Sequence, residues 1–174
     1  MSLTLLLGGA RSGKSRRAEE LAAAFPGAVV YVATAPRIPG DAEWAARIAA
    51  HRARRPQTWR TVEEEVALAA ALEREAAPGR LLLVECATTW LANLLHRGLE
   101  PEPEVARLVE LLPRLPGEQV VVANEVGAGI CPENRLARRF RDLAGSMNQG
   151  LAAAASRVEW LVAGLPVVVK GEQP

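Results

Sequence analysis

The sequence has almost no lysine. Of 21 basic side chains only Lys14 and Lys170 are lysines; the rest are arginines. A lysine kept in so arginine-rich a chain marks a place where a guanidinium does not serve, and Lys14 lies in a glycine-rich stretch. Cysteine is scarce as well. Cys86 and Cys131 are too few for a disulfide framework and too far apart for a CxxC site. Aromatic residues make up only 4%, which argues against a stacking platform for single-stranded nucleic acid. Net charge is nearly absent: 21 basic against 20 acidic side chains leave +1. A basic face for binding nucleic acid is therefore not expected. No apolar run approaches the ~18–20 residues of a membrane span. The opening stretch has no basic start, apolar middle and small-residue cleavage site. The expectation is a cytoplasmic protein with no membrane span and no nucleic-acid partner. What is present is ample core: 49% of 174 residues are hydrophobic and 24% charged, the profile of one folded domain over 1–174.

Short apolar runs alternate with helical stretches. Strands are expected at Leu3–Leu7, Ala28–Ala33, Trp59–Val62, Leu81–Cys86 and Gln119–Asn124. A closing pair is expected at Val158–Ala163 and Val167–Lys170. Helices are expected at Ser15–Phe25, from an Asp41 cap to Arg54, at Glu63–Ala76, around Leu91–Leu95, at Glu104–Leu112 and at Arg135–Arg157. Pro101 and Pro103 bracket a loop on this reading. Apolar strands alternating with helices predict an α/β protein, a mostly parallel sheet covered on both faces.

Residues Gly8, Gly9, Ala10, Arg11, Ser12, Gly13, Lys14 and Ser15 fit G-x-x-x-x-G-K-[ST], between a strand and a helix. In such a loop glycines let backbone N–H groups turn toward phosphate oxygens. The helix N-terminus adds a dipole that favours anions. Lys14 can reach the β- and γ-phosphates, and the Ser15 hydroxyl can ligate Mg²⁺. Such loops usually have a partner acid at the end of a neighbouring strand. Glu85 fills that role at the end of LLLVEC, and a metal–nucleotide complex would compensate its burial. By themselves these features indicate a P-loop kinase or NTPase with no indication of the phosphoryl acceptor.

Two histidines occur. His96 sits where a helix ends and is expected to stabilise it. His51 lies among Arg47, Arg52, Arg54 and Arg55, cations that disfavour imidazolium and leave the ring neutral and nucleophilic. A neutral imidazole that attacks an α-phosphorus forms a phosphoramidate. The plain alternative is a surface histidine amid solvated charges. Asn124-Glu125-Val126-Gly127 follows a strand and faces the ligand crevice of an open sheet on this reading.

Taken in order, GGARSGKS, YVATA, ARIAAHRARRP, WRTVE, LLLVECATTWLANLL and NEVGAGICPENRLARRFRDLAGSMNQ resemble the bifunctional adenosylcobinamide kinase / adenosylcobinamide-phosphate guanylyltransferases of cobalamin biosynthesis. The resemblance spans Leu3 to Lys170. It implies a RecA-like P-loop fold, a homotrimer, Mg²⁺, and GTP and ATP as substrates. It implies two reactions: phosphorylation of adenosylcobinamide, then transfer of GMP from GTP to that phosphate with release of pyrophosphate. It places a covalent GMP on a histidine, matched here by His51; the phosphate loop itself makes Lys14 the other catalytic residue. Its nucleotide contacts match Gly8–Ser15, Ala33, Thr34, Ala35, Arg52, Ala53, Arg54, Arg55, Glu63 and Glu85; the phosphate-loop reading above is what puts Ser15 and Glu85 on the metal. Similar sequences often read Lys-Asp-Gly-Arg after the histidine, where this chain has Arg52-Ala53-Arg54-Arg55, and some carry a second histidine where this chain has Ala50. Two other readings compete: a plain P-loop kinase for another small alcohol, and a RecA-like nucleotide-binding module without catalysis.

Overall fold

Every second residue of the central strands belongs to a different hydrophobic cluster, the period of a pleated strand buried on both sides. Leu3, Leu5, Leu7, Val30, Val32, Leu82, Val84, Val121 and Ala123 pack on one face. Leu6, Val29, Tyr31, Leu81, Leu83, Val120 and Val122 pack on the other. The computed structural model describes residues 2–172. Met1, Gln173 and Pro174, the ends of the expected domain, lie outside the described residues.

The elements in chain order are β1 (Ser2–Gly8), α1 (Lys14–Ala24), β2 (Ala28–Ala33), α2 (Ala42–Ala53), β3 (Arg60–Glu63), α3 (Leu68–Glu75), β4 (Arg80–Glu85), α4 (Ala87–His96), α5 (Pro101–Leu111), β5 (Glu118–Asn124), α6 (Arg135–Ala154), β6 (Arg157–Val162) and β7 (Leu165–Lys170). A short 3₁₀ turn, Leu112–Arg114, follows α5. The sheet runs β3-β2-β4-β5-β1-β6-β7, parallel except for the β6–β7 pair. This is the expected α/β sheet.

The two faces are covered unevenly. Trp90, Leu91 and Leu94 of α4, Leu68 and Leu72 of α3, Leu108 of α5, and Met147 and Leu151 of α6 join the first cluster. On the second, Ala18 and Ala22 of α1 pack on the sheet with Leu21 and Phe25 at the edge. Helix α2 contributes no buried residue. Its Asp41 cap accepts from the Trp44 N–H at 2.8 Å, as expected.

Several boundaries differ from expectation. The helix expected over Glu63–Ala76 begins only at Leu68, because Glu63 pairs with Ala33 as the last residue of β3. Glu64 then accepts from the Val66 and Ala67 N–H groups in a tight turn. Pro101 and Pro103 do not bracket a loop. Pro101 opens α5, where a missing N–H costs nothing. The last helix stops at Ala154, and Arg157 opens β6 beside Thr4. Cys86 leaves the strand and caps α4, where it is buried. Pro166 lies inside β7, tolerated because β7 is an edge strand paired only with β6.

A buried carboxylate joins the end of the sheet to α1. Glu159 on β6 is fully buried and accepts from Arg17 Nε at 2.8 Å, from Arg17 Nη2 at 3.0 Å and from Arg157 Nε at 2.8 Å. The Arg17 hydrogen bond, more than any other contact, holds its carboxyl below the usual range. Glu159→Gln strands two guanidinium groups and should cost about 3 kcal/mol of stability. Because the folded pKa is depressed, the stabilisation is present above the unfolded value of about 4.3 and is lost as pH falls through the folded one. Denaturant titrations of both proteins at neutral and acid pH check this: the gap should narrow on acidification. A gap independent of pH would assign the loss to packing.

Candidate nucleotide site

The glycine-rich loop turns between β1 and α1 because its glycines occupy conformations other residues avoid. Gly13 has φ +98°, and a Cβ there would lie 3.0 Å from the Gly164 Cα. Gly8 has φ +153°, and a Cβ there would come within 2.7 Å of the Leu161 carbonyl oxygen. The turn between β6 and β7 thus presses against the loop, and the Gly164 N–H donates to the Ser12 carbonyl at 2.9 Å. Arg11 stands at φ 55°, in the left-handed region, at the loop's outer bend. Lys14 is not an exposed reaching arm: it is 6% exposed. Its Nζ donates to the Gly9 carbonyl at 2.6 Å and to Ser12 Oγ at 3.3 Å. Burial lowers its pKa, opposed by the Glu85 charge.

Ser15 Oγ donates to Glu85 Oε1 at 2.9 Å, so the two residues expected to meet at a metal do meet. The expectation of a neighbouring strand fails, however. β5 lies between β1 and β4, and Ser15 reaches Glu85 across its end. Burial pushes the Glu85 carboxyl up to about 7, against the opposing effects of the Ser15 hydrogen bond and Lys14. Among the described residues no group of three His, Cys, Asp or Glu side chains is placed to hold a metal.

β2 ends beside β4 with Ala33 opposite Glu85. Thr34 is fully buried. Its hydroxyl donates to the Cys86 carbonyl and accepts from the Cys86 N–H, both at 2.8 Å. The Thr34 N–H donates to the Glu85 carbonyl at 3.1 Å. Its side chain therefore positions the Glu85-Cys86 backbone, and Ala35 follows it in the loop after β2.

His51 is half-buried near the end of α2. Burial lowers its pKa first, and Arg54, Arg47 and Arg55 add to this against Glu19. The imidazole is thus neutral at neutral pH, as the arginine-rich context predicts. The arginines that follow have separate partners. Arg52 and Arg37 both pair with Glu63, at 2.8 and 2.9 Å. Arg54 pairs with Glu19 of α1, and its Nη2 lies 3.3 Å from His51 Nδ1. Arg55 lays its guanidinium over the Tyr31 ring, 3.4 Å from the centroid, with its Nε buried and unpartnered. Arg54 keeps a right-handed backbone, φ −79°, so the chain turns here without the glycine common at this point in similar sequences.

Sequence reasoning did not single out Glu19 and Tyr31. Glu19 is a mid-helix acid and Tyr31 a strand aromatic, and neither carries a local signal. Together they tie the end of α2 to α1 and β2. The NEVG stretch braces the phosphate loop: Asn124 lies opposite Gly8, and the Glu125 N–H donates to the Gly8 carbonyl at 3.0 Å. Asn148, from the downstream MNQ, donates to the Asn124 carbonyl at 3.1 Å. The Glu125 carboxylate folds back onto the Gly127 N–H.

Comparison with known proteins agrees with this arrangement. Residues 4–169 match the family model described as cobinamide kinase / cobinamide phosphate guanyltransferase. The chain is 53% identical over 172 residues to the bifunctional adenosylcobalamin biosynthesis protein CobP of Pseudomonas aeruginosa, covering 97% of each. It is 43% identical over 183 residues to the corresponding CobU of Escherichia coli, covering 97% of this chain and 99% of the relative. Among solved structures, an ATPase of a type III secretion system shares the fold at TM-score 0.60 and 11% identity, over 96% of this chain and 56% of its own. A protein of Pyrococcus horikoshii shares it at TM-score 0.55 and 9% identity, over 99% of this chain and 87% of its own. A family match over nearly the whole chain, on a P-loop sheet carrying both the Lys14–Ser15–Glu85 group and the arginine-flanked His51, places this protein in the cobinamide kinase / cobinamide phosphate guanyltransferase family.

Proposed function

We propose that this chain, as a single domain, carries out both reactions of its family. It phosphorylates adenosylcobinamide with a nucleoside triphosphate, ATP or GTP, and then transfers GMP from GTP to that phosphate through a guanylyl-histidine at His51. The observation that carries the reading is the joining of two constellations on the face of the sheet that α1 covers. The phosphate loop with Glu85 meets the His51 helix through Arg54–Glu19 and Arg55–Tyr31.

In the kinase step the loop N–H groups and Lys14 bind the triphosphate, and Lys14 offsets charge on the transferring phosphoryl group. The acceptor hydroxyl attacks the γ-phosphorus and the nucleoside diphosphate leaves. In the transferase step an unprotonated ring nitrogen of His51 attacks the α-phosphorus of GTP, and pyrophosphate departs. An oxygen of adenosylcobinamide phosphate then attacks the same phosphorus, the N–P bond breaks, and His51 is restored. Ser15 and Glu85 are two oxygen donors already in contact, which suits Mg²⁺, with phosphate and water oxygens completing its shell. When bound, the ion would neutralise charge on the phosphates.

Glu85→Gln keeps the shape but removes the anionic donor, so the Mg²⁺ concentration for half-maximal kinase activity should rise roughly tenfold or more. An unchanged midpoint and rate would leave Glu85 a structural strand end. The same reading carries a homotrimer, supported by the exposed apolar edge strand β7 with Leu165 and Val169. It also carries a cytoplasmic location, supported by two unpaired cysteines. The deciding experiment is incubation with Mg²⁺ and GTP labelled in its α-phosphate, followed by mass mapping. The expected result is GMP on the peptide containing His51, lost in mild acid and kept in alkali. Label on another residue, or none, overturns the guanylyl-histidine.

A further inference from the structure

The contact between Arg54 and His51 has a direction. A guanidinium has only N–H donors, so at 3.3 Å the Arg54 Nη2 donates and His51 Nδ1 accepts. In a neutral ring the Nε2 then holds the proton. One lone pair is covered and the other nitrogen is protonated, so the imidazole offers neither nitrogen as a nucleophile. Arg54 is held in this place from the other side. Its Nε and Nη2 donate to Glu19 Oε2 and Oε1 at 3.3 and 3.2 Å. Glu19 is mostly buried on α1, whereas Arg54 is half exposed. The charged groups facing His51 are Arg54 and Arg47 from α2 and its end, Arg55 from the following turn, and Glu19 from α1.

We propose that Glu19 and Arg54 form a mask over the His51 Nδ1 lone pair, which an incoming nucleoside triphosphate removes by drawing Arg54 onto its phosphates. This deepens the guanylyl-histidine reading and rests on it. Arg54 is half exposed, so solvent screens its pair with Glu19, and a triphosphate is a stronger competitor for a guanidinium than one carboxylate. With Arg54 gone, a lone pair is free, on Nδ1 at once or on Nε2 after its proton exchanges to Nδ1 through water. That nitrogen bonds to the α-phosphorus, and the bond from phosphorus to the pyrophosphate oxygen breaks. The electron pair leaves with pyrophosphate, and the proton on the other ring nitrogen goes to solvent. The mask would keep the histidine unreactive until the nucleotide is seated. Glu19 and Arg54 act through His51 as positioning residues.

The test uses the full chain and Glu19→Gln, which frees Arg54; because Glu19 also bears on the Glu85 carboxyl, labelling is followed at saturating Mg²⁺. The concentration of GTP for half-maximal His51 labelling should fall roughly two- to fivefold, with the maximal labelling rate kept. Glu20→Gln removes the same charge one residue away, where the partners are Arg16 and Arg17, and should leave that concentration unchanged. Nitrogen-15 histidine spectra of the wild type, with His51 assigned by a His96→Gln variant, read the mask directly. Without nucleotide, Nδ1 should appear as a hydrogen-bonded, unprotonated nitrogen. With a GTP analogue that cannot be cleaved at the α-phosphorus, it should move toward the unbonded position. An unchanged or raised half-saturating GTP in Glu19→Gln, an equal fall in Glu20→Gln, or a protonated Nδ1 in the free protein overturns the proposal. Absence of any adduct in the wild type would instead remove the guanylyl-histidine reading, while the spectra still decide whether the mask exists.

Discussion

Lys14→Ala is expected to lower kinase activity by roughly 10²–10³-fold or more, the scale of removing one preorganised group that stabilises transition-state charge. The loss should appear mainly in turnover, because Lys14 meets charge that develops during transfer. The structure sharpens this result. Lys14 is buried and holds the loop through the Gly9 carbonyl and Ser12 Oγ, so the variant should also loosen the loop. The central strands and α1 stay packed without it, and circular dichroism and thermal melting should report a folded protein. Lys14→Arg is the more telling companion. It keeps the charge, but a planar guanidinium does not fit a slot shaped for a slender ammonium stem, so it should restore little. Near-normal phosphorylation by either folded variant would remove Lys14 from the chemistry.

His51→Ala should reduce guanylyl transfer by on the order of 10⁴-fold or more, the scale seen when a covalent nucleophile is removed, and abolish GMP labelling. Phosphorylation of adenosylcobinamide should persist, because Lys14, Ser15 and the loop carry that step. The two activities of one chain would then part in a single variant. The pH dependence adds a second check. The folded pKa of His51 lies below its ordinary value. The neutral, nucleophilic form therefore persists as pH falls past about 6.5, where a free histidine would half-protonate. Labelling should begin to fall only below that pH. A variant that still forms the covalent GMP adduct would move the nucleophile elsewhere, whereas a break near pH 7 that shifts with Mg²⁺ concentration would report Glu85.

Much of the fold was legible in the residues because it rests on local patterns. The apolar runs of β1, β2, β4 and β5, the glycine-lysine loop and the Asp41 cap each carry their structure in a few neighbouring side chains. Two of the misread helix boundaries share one cause. Glu63 to Ala67 and the segment at Ser156 and Arg157 look helical by composition, but strand pairing holds them: Glu63 with Ala33, Arg157 with Thr4. A hydrogen-bonded partner far along the chain outweighs the small differences in local propensity.

The site divides in the same way. Sequence alone determined the phosphate loop, the arginines around His51, and the candidacy of Glu85; burial, the larger cause of the neutral ring, came with the fold. Chain order is enough for these, since spacing and neighbouring charge set them. Only the tertiary structure decided what each group touches. It put β5 between the loop strand and the strand of Glu85, yet brought Ser15 to Glu85. It buried Lys14 within its own loop, turned the Thr34 hydroxyl onto the Cys86 backbone, and set the β6–β7 turn against Gly13. It also chose Glu19, from a helix more than thirty residues earlier, as the carboxylate that holds Arg54 against His51. The physical reason is that hydrogen bonds and ion pairs act over a few ångströms of space, and only the packed sheet and its helices determine which distant residues come within that reach.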